Sequence, residues 1–266
     1  MTAGRITLHQ WAPGARPQDN LEVIQEVVRN ARAEGSTLAV FPEYSSALDA
    51  GGPSAQTETV TREGEWVSAL RDLTKETGVS VVVGALVRSE GTALPHNTMM
   101  AFSDGELVAS AHKLHLYDAF GARESDAVAP GDIETCELFE WEGLRVGMMA
   151  CYDLRFPEVA RRLVDAGATA LVVPAQWMAG DNKTLHWETL LRARAIENQV
   201  WVAGVNQPGP LAVGASQVID PVGQRVLSLG AAAETAACEI EPERVTNTRL
   251  ENPMMVARRF GVEPKG

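Results

Sequence analysis

A short unit that recurs three times along the chain constrains the fold more than any other feature of the sequence. Each unit contains an amphipathic helix, then a glycine, then an apolar run that is typical of a buried strand. The glycines are Gly35, Gly78 and Gly167, and the apolar runs that follow them cover residues 37–41, 79–87 and 169–173. A helix that returns directly to a buried strand is typical of α/β proteins, in which helices cover the faces of a sheet.

The remaining segments add a further helix and several hairpins to these units. The helix covers residues 184–199 and leads into a strand over 200–205, while two hairpin-like pairs turn at residues 142–143 and 221–223. A chain of 266 residues can bury a large core. We therefore predict a single α/β domain over residues 1–266, with helices packed outside mixed sheets and a tail of unclear pattern from about residue 245.

Cys151 lies where one of these strands gives way to a helix. The apolar run over residues 144–150 predicts a buried strand, and apolar residues from Phe156 to Val164 follow it at helical spacing. At such a junction, free backbone N–H groups and a positive potential favour a thiolate and a developing oxyanion. Taken alone, however, a single cysteine is more often a small buried apolar residue.

Two other segments change the interpretation of Cys151. Glu43 follows an apolar strand after a proline that ends it, and Lys113 lies at the end of another predicted strand. Each charge, taken alone, would be expected to be solvated at the surface. A carboxylate, an ammonium and a thiol at strand ends can instead converge on one face of a sheet. Together they supply the base, the oxyanion stabiliser and the nucleophile that acyl transfer requires.

Five short motifs follow one another in a specific order over roughly residues 5–240. They are Phe41-Pro42-Glu43, His112-Lys113-Leu114-His115-Leu116, Arg123-Glu124-Ser125, the stretch from Cys151 to Glu158, and His186-Trp187 with residues 191–199. This ordered set resembles the carbon–nitrogen hydrolase (nitrilase) superfamily, whose triad is Glu, Lys and Cys. The resemblance implies a four-layer α-β-β-α sandwich and an enzyme that hydrolyses linear amides through a cysteine thioester.

The resemblance also implies a role for each catalytic residue. Cys151 is the predicted nucleophile, Glu43 the base that moves protons, and Lys113 the charged group that faces the oxyanion. The backbone N–H of Tyr152 is the predicted second oxyanion donor. Glu124 matches an auxiliary glutamate of the family, and it either handles protons and water or only orients Lys113.

Arg155 is the main candidate for substrate specificity. It lies four residues after Cys151 and could hold a substrate carboxylate through two parallel hydrogen bonds. The alternative is a structural ion pair with Asp153 or Glu158. The residues predicted to line the substrate pocket beside it are Trp177, Met178, Tyr44 and Phe120.

Composition and charge restrict the partners. A net charge of −12 argues against nucleic acid and anionic membranes, so an anionic substrate needs a local cation. No apolar run resembles a membrane span or a signal peptide, and we expect a cytoplasmic protein. The three cysteines lack metal-ligand spacing, so we expect neither metal nor cofactor. The family resemblance implies a homodimer or higher homo-oligomer, with the tail contacting another subunit.

The substrate stays open at this point. The stretch from Cys151 to Glu158 looks most like omega-amidases and deaminated-glutathione amidases, whereas residues 175–183 depart from the better-known members. Nitrilases, aliphatic amidases and carbamoyl-amine hydrolases share the triad and are alternatives. A catalytically silent scaffold or binding protein is an alternative of another class, and the intact set of Glu43, Lys113, Glu124 and Cys151 argues against it.

Overall fold

Two six-stranded sheets form the centre of the molecule in a computed structural model that describes residues 3–50, 52–89 and 91–264. The ends of the predicted domain 1–266 therefore lie outside the described residues. The first sheet contains β1 (Gly4–Gln10), β2 (Leu38–Val40), β3 (Ser80–Val87), β4 (His96–Ser103), β5 (Glu106–His112) and β12 (Glu234–Ile240). The second contains β6 (Leu138–Trp141), β7 (Leu144–Met148), β8 (Ala170–Ala175), β9 (Trp201–Asn206), β10 (Gln217–Ile219) and β11 (Arg225–Ser228).

Strand order explains how the recurring units build both sheets. The orders are β12-β1-β2-β3-β4-β5 and β11-β10-β9-β8-β7-β6. Each sheet contains three neighbouring parallel strands that the helical units connect. They are β1, β2 and β3 in the first sheet and β7, β8 and β9 in the second. Antiparallel strands complete the edges, as hairpins except at β12, which pairs with β1 from the far end of the chain. Because parallel strands end at the same edge, the segments after β2 and β7 leave their sheets at edges where loops can form a site.

Helices α1 (Pro17–Ala33) and α2 (Glu65–Thr77) cover the outer face of the first sheet, and α3 (Pro157–Asp165) and α4 (Lys183–Asn198) cover that of the second. Two further helices, α5 (Pro242–Glu251) and α6 (Met254–Ala257), follow the last strand. The stripe of α1 and α2, which includes Ile24 and Leu70, packs on the first sheet in one apolar cluster. The stripe of α3 and α4, which includes Leu163 and Leu191, packs on the second sheet in another. Both helical stripes lie where the sequence pattern predicts them.

A third apolar cluster lies between the two sheets. Leu8 and Val40 of the first sheet meet Val146 and Val172 of the second, and each of these side chains is buried. The inner faces of both sheets therefore contact each other while their outer faces contact helices. The predicted four-layer α-β-β-α sandwich is confirmed.

The tail is more ordered than its sequence pattern suggests. Helix α5 begins before residue 245, and Val245 is buried against the core between the sheets. Gln199 fixes the end of α5, because its side-chain Nε2 donates to the carbonyl of Asn252 at 2.8 Å. Contact between this tail and another subunit stays a prediction. In the described part of the chain, no helix is both long enough and apolar enough to cross a membrane.

Candidate active site

The four predicted catalytic groups line one cavity of about 460 Å³. Glu43 follows β2, Lys113 follows β5, and Cys151 follows β7, so each stands where a strand has just ended. Glu124 begins a short 3₁₀ helix, Glu124–Asp126, in the loop after Lys113. Strands from both sheets thus bring these side chains to the same end of the sandwich, as their sequence positions predict.

A close approach of two backbone segments sets the position of Glu43. A Cβ atom built on Gly84 of β3 would lie 2.7 Å from the Cα of Glu43 and 2.9 Å from the backbone nitrogen of Tyr44. Tyr44 itself has a φ of 61°, which is unusual for a residue with a side chain. Gly84 is therefore required for the turn after β2 to lie flat on β3 and direct Glu43 into the cavity.

The turn that carries Cys151 is also strained. Cys151 has a φ of 40° and begins a short 3₁₀ helix, Cys151–Arg155, with α3 starting only at Pro157. Asp153 braces this turn: its carboxylate accepts from the backbone N–H of Ala150 at 3.2 Å and of His115 at 2.9 Å. A strained backbone conformation persists only where surrounding contacts hold it in place, and the hydrogen bonds to Asp153 are such contacts.

Lys113 links the two acidic residues of the site. Its Nζ lies 2.9 Å from Oε1 of Glu43 and 2.7 Å from Oε2 of Glu124, and all three side chains are buried. An ammonium has three protons, so these two ion pairs leave one N–H for the cavity. Asn97 strengthens the arrangement, because its Nδ2 donates to Glu43 at 2.7 Å and to Glu124 at 3.2 Å.

The electrostatics of this network keep Lys113 charged. Burial alone would lower the pKa of Lys113, but the carboxylates of Glu43 and Glu124 outweigh it and raise that pKa well above its usual range. Burial also raises the pKa of Glu43, with the charge of Glu124 adding to the effect and Lys113 opposing it. Burial alone would raise the pKa of Glu124, but Lys113 and the hydrogen bonds from Tyr44 and Tyr117 together lower it.

Cys151 lies among charged groups that act on its thiol in opposite directions. The strand-to-helix position suggested a stabilised thiolate, but burial raises the pKa of Cys151 well above its usual range, and the charges of Glu43 and Glu124 raise it further. Lys113 acts in the opposite direction without outweighing them. The resting group is therefore a thiol, and a base must remove its proton before attack.

Arg155 lines the cavity beside Cys151, and the alternative ion pair with Asp153 or Glu158 is absent within the described ranges. Its guanidinium carbon lies 4.6 Å from the ring centre of Trp177 and 5.9 Å from that of Tyr152. These ring contacts hold the guanidinium on the cavity wall without neutralising it. Of the two roles considered for Arg155, the structural ion pair is not formed.

The residues predicted to line the pocket fall into two groups. Tyr44, Trp177 and Met178 line the cavity, and the hydroxyl of Tyr44 also donates to Oε1 of Glu124. Phe120 is not among the residues that line it, and this residue has a φ of 55° and is 79% exposed. Its ring centre lies 3.9 Å from Nζ of Lys183, so the structure places Phe120 against a lining residue, whereas the sequence analysis placed it in the wall itself.

Several residues of the site escaped the sequence analysis. Asn97 bonds both acidic residues, and an amide inside the apolar strand β4 was the available signal. The backbone N–H of Gln176 donates to Oε2 of Glu43 at 2.7 Å, which no side-chain pattern could have indicated. Tyr117 lines the cavity from a loop, and Lys183 lines it from the first position of α4. In the described part of the chain, no group of three or more His, Cys, Asp or Glu side chains could hold a metal ion.

A buried thiol, two carboxylates and an ammonium around one pocket define a class of protein. They are the groups needed to cleave a C–N bond by acyl transfer to sulfur: a nucleophile, a proton carrier and a fixed positive charge. On an α-β-β-α sandwich, this combination indicates a thiol-dependent hydrolase of small molecules.

Comparison with known proteins agrees with this class. The family model "Carbon-nitrogen hydrolase" matches residues 5–250, and the chain belongs to this family. A deaminated glutathione amidase of Escherichia coli O157:H7 is 37% identical, over 96% of this chain and 97% of the relative. An omega-amidase NIT2 of Danio rerio is 30% identical, over 97% and 96%. A solved CN-hydrolase superfamily protein from Xanthomonas campestris, with an arsenic adduct in its active site, has a TM-score of 0.87 at 26% identity, over 99% and 100% of the chains.

The comparisons confirm the superfamily, the fold and the reaction class that the motifs predict. The protein is a hydrolase of C–N bonds, and its relatives and structural neighbours include amidases. The roles of single residues and the nature of the amide are finer questions.

Proposed function

We propose that this amidase hydrolyses a small amide whose acyl part carries a carboxylate, and that Arg155 binds this carboxylate. The observation that carries the proposal is the guanidinium of Arg155, which lines the cavity beside Cys151 and has no carboxylate partner in the described segments. Nη2 of Arg155 also lies 3.4 Å from Nδ1 of His186, a contact that leaves the charge in place and the other N–H donors available for a ligand.

The charge of the whole protein supports a dedicated cation at this position. A net charge of −12 repels anions from the surface, so an anionic substrate needs local compensation inside the pocket. Among the relatives, the names deaminated glutathione amidase and omega-amidase both describe enzymes that act on amides of acids. Of the alternatives within the family, an acid amide fits the free charge of Arg155 best, because a neutral aliphatic amide or nitrile would leave it unpaired.

The proposed first step transfers the acyl group to sulfur. Glu43 takes the proton of the Cys151 thiol as the sulfur attacks the carbonyl carbon, and it returns this proton to the departing nitrogen. The C–N bond breaks, the amine or ammonia leaves, and the acyl group remains as a thioester of Cys151. Glu43 then takes a proton from water, and the resulting hydroxide attacks the thioester to release the carboxylic acid and restore the thiol.

Two donors are proposed to stabilise the oxyanion of each tetrahedral intermediate. One is the third N–H of Lys113, which its two ion pairs leave for the cavity. The other is the backbone N–H of Tyr152, which follows the nucleophile in the strained turn. Losing one such donor typically lowers kcat by roughly 10²–10³-fold. Glu124 holds Lys113 in place, and its short distance to that ammonium supports an orienting role at least.

The test is an ammonia-release assay on matched primary amides with and without a terminal carboxylate. The native enzyme should favour the acidic amide, and Arg155→Lys should weaken kcat/KM for it because a compact ammonium cannot form the fork. Arg155→Ala should do so by about 10²-fold while the neutral amide changes little. Arg123→Ala is the matched control, since Arg123 lines the same cavity but pairs with Asp126 at 3.3 Å. Equal losses on both amides would make Arg155 structural and overturn the proposal.

A further inference from the structure

Glu43 and Glu124 differ in how many hydrogen bonds their carboxylates already accept. A carboxylate has two oxygens with two lone pairs each, so it can accept about four hydrogen bonds. Glu124 accepts this full set. The hydroxyl of Tyr44 and Nδ2 of Asn97, at 3.2 Å, donate to its Oε1, while Nζ of Lys113 and the backbone N–H of Tyr117, each at 2.7 Å, donate to its Oε2. No lone pair of Glu124 is left to take a further proton.

Glu43 accepts fewer hydrogen bonds from N–H groups of the described residues. Its Oε1 accepts from Nδ2 of Asn97 at 2.7 Å and from Nζ of Lys113 at 2.9 Å, which occupies both lone pairs of that oxygen. Its Oε2 accepts only from the backbone N–H of Gln176, at 2.7 Å. A hydrogen bond with Glu43 also raises the pKa of the Cys151 thiol. The proton that must be transferred therefore faces Glu43, whose available lone pair is on Oε2.

Asn97 is the side chain on which this difference depends. It is fully buried in β4, and its Nδ2 donates to both Glu43 and Glu124. Its backbone carbonyl accepts from the N–H of Lys113 at 2.8 Å, so one residue of β4 holds the ammonium and both carboxylates in place. Without the amide of Asn97, Oε1 of each acidic residue would regain a lone pair, and a proton could bind there, away from the reacting atoms.

We propose that Asn97 is a positioning residue that directs proton transfer to Oε2 of Glu43. This oxygen takes the thiol proton as the bond between sulfur and the carbonyl carbon forms, and it gives the proton to the departing nitrogen as the C–N bond breaks. Glu124 exchanges no proton and acts by holding Lys113. The inference rests on the proposed function, which makes Glu43 the base, but it does not depend on the carboxylate assigned to Arg155.

The pH profile of Asn97→Leu tests this positioning role. Leucine has a similar branched shape but donates nothing, so the ionised form of Glu43 loses a donor and its pKa rises. The acidic limb of kcat/KM should move to higher pH by about one unit, and kcat should fall by about 10–100-fold. The variant leaves unchanged the titratable groups that face Glu43, which are Lys113, Glu124, Cys151 and Tyr44. A lower kcat with the acidic limb in its native place would mean a merely structural role and overturn the proposal.

Thr98→Val is the matched control on the same strand. Thr98 follows Asn97 in β4 and is also buried, but its Oγ1 lies 2.8 Å from Nδ1 of His112 instead of contacting an acidic residue of the site. This variant should lower the midpoint of urea unfolding and keep the native acidic limb. The same shift of the limb in Thr98→Val would show that the strand as a whole sets the pKa of Glu43, and this result would also contradict the role of Asn97.

Neutron diffraction from crystals of the native enzyme tests the proposal even if Asn97→Leu fails to fold. In D₂O, at a pH just below the acidic limb, a deuteron should be bound to Oε2 of Glu43 and none to Glu124. A deuteron on Oε1 of Glu43, or on either oxygen of Glu124, would exclude the proposed route of the proton. Failure of the proposed function gives different results: Glu43→Gln would keep its activity if Glu43 were not the base, and equal rates on acidic and neutral amides would refute the carboxylate assignment alone.

Discussion

Cys151 combines two properties that a packing residue would not need. Its backbone has a φ of 40°, which costs of order 1–3 kcal/mol for a residue with a side chain, and its thiol lies among three charged groups. A buried apolar cysteine would gain nothing from either property. The strained backbone conformation therefore has a functional explanation, because it directs the sulfur into the cavity between Glu43 and Lys113.

Replacing the sulfur should stop turnover without unfolding the chain. We expect Cys151→Ala to lower kcat by at least about 10⁴-fold, because the remaining groups have no nucleophile to assist. The variants Cys136→Ala and Cys238→Ala should keep the native rate, since neither thiol lines the cavity. Ammonia release, circular dichroism and the intact mass after treatment with an alkylating agent would test this. Inactivation by labelling at Cys136 or Cys238 would contradict the assignment.

The pH profile should report the coupling between Glu43 and Glu124. Glu43 acts as a base only when ionised, so kcat/KM should fall as the pH drops through the raised pKa of Glu43, above the usual range of a glutamate. Glu124→Gln removes a negative charge that raises this pKa. The acidic limb should therefore move to lower pH by about one unit, together with a loss of rate. A limb that stays in place or moves to higher pH would show that Glu124 does not act on Glu43 electrostatically.

At the scale of elements, helix α4 supports the nucleophile turn from beneath. Arg194 is 4% exposed, and its Nη2 donates to the carbonyl of Leu154 at 2.7 Å while its Nη1 pairs with Glu197 at 2.8 Å. A guanidinium at the end of the 3₁₀ turn satisfies a carbonyl that the turn leaves free. Arg194 therefore acts as a positioning residue, through the backbone that carries Cys151.

Removing this support should loosen the turn. Arg194→Met should lower kcat by about 10–100-fold with little change in KM, because a small displacement of the nucleophile is costly for the reaction. Arg194→Lys should restore part of the rate, and the rate of Cys151 alkylation should change in parallel. Arg192→Met, on the exposed face of the same helix, is the control and should behave like the native enzyme. A KM effect alone would place Arg194 in substrate binding instead.

Local sequence patterns predict the helices and strands of this protein better than they predict the contacts between them. The three units with a glycine between helix and strand, at Gly35, Gly78 and Gly167, fold as expected. A helical stripe, a glycine with positive φ and an apolar strand each depend only on neighbouring residues. Glu188 is spaced i,i+4 from Arg192 on α4, yet it pairs at 3.3 Å with Arg225 of β11. Long-range contacts of this kind compete with local ones and leave no periodic signal.

The same limit applies to the site. Its charged centre could be predicted because motifs place Glu43, Lys113 and Cys151 at strand ends. Lys183 could not, because its burial depends on a loop more than 60 residues earlier, which brings Tyr117 against it at 3.0 Å. A lysine at the start of a helix without such a partner would be solvated.

At the scale of the whole molecule, the site depends on how the two sheets face each other. Glu43 and Lys113 follow strands of the first sheet, whereas Cys151 and Gln176 follow strands of the second. Gln207, just after β9, joins the two halves, because its Nε2 donates to the backbone carbonyl of Glu43 at 2.9 Å. At another position, Nε1 of Trp141 in β6 donates to Oγ1 of Thr37, just before β2, at 3.1 Å.

These two bridges allow stability and activity to be separated. Gln207→Leu and Thr37→Val each leave a polar partner unpaired between the sheets, so each should lower the free energy of unfolding by about 1–3 kcal/mol. Only Gln207→Leu should also lower kcat, by about tenfold, because only that bridge fixes the backbone of the base Glu43 relative to Cys151. Thr37 precedes β2 and Glu43 follows it, so the bridge at Thr37 lies at the opposite end of that strand. Urea unfolding and steady-state kinetics on both variants would test this. Equal kinetic effects would mean that activity follows overall stability, and the alignment of the sheets at Gln207 would then have no special role in catalysis.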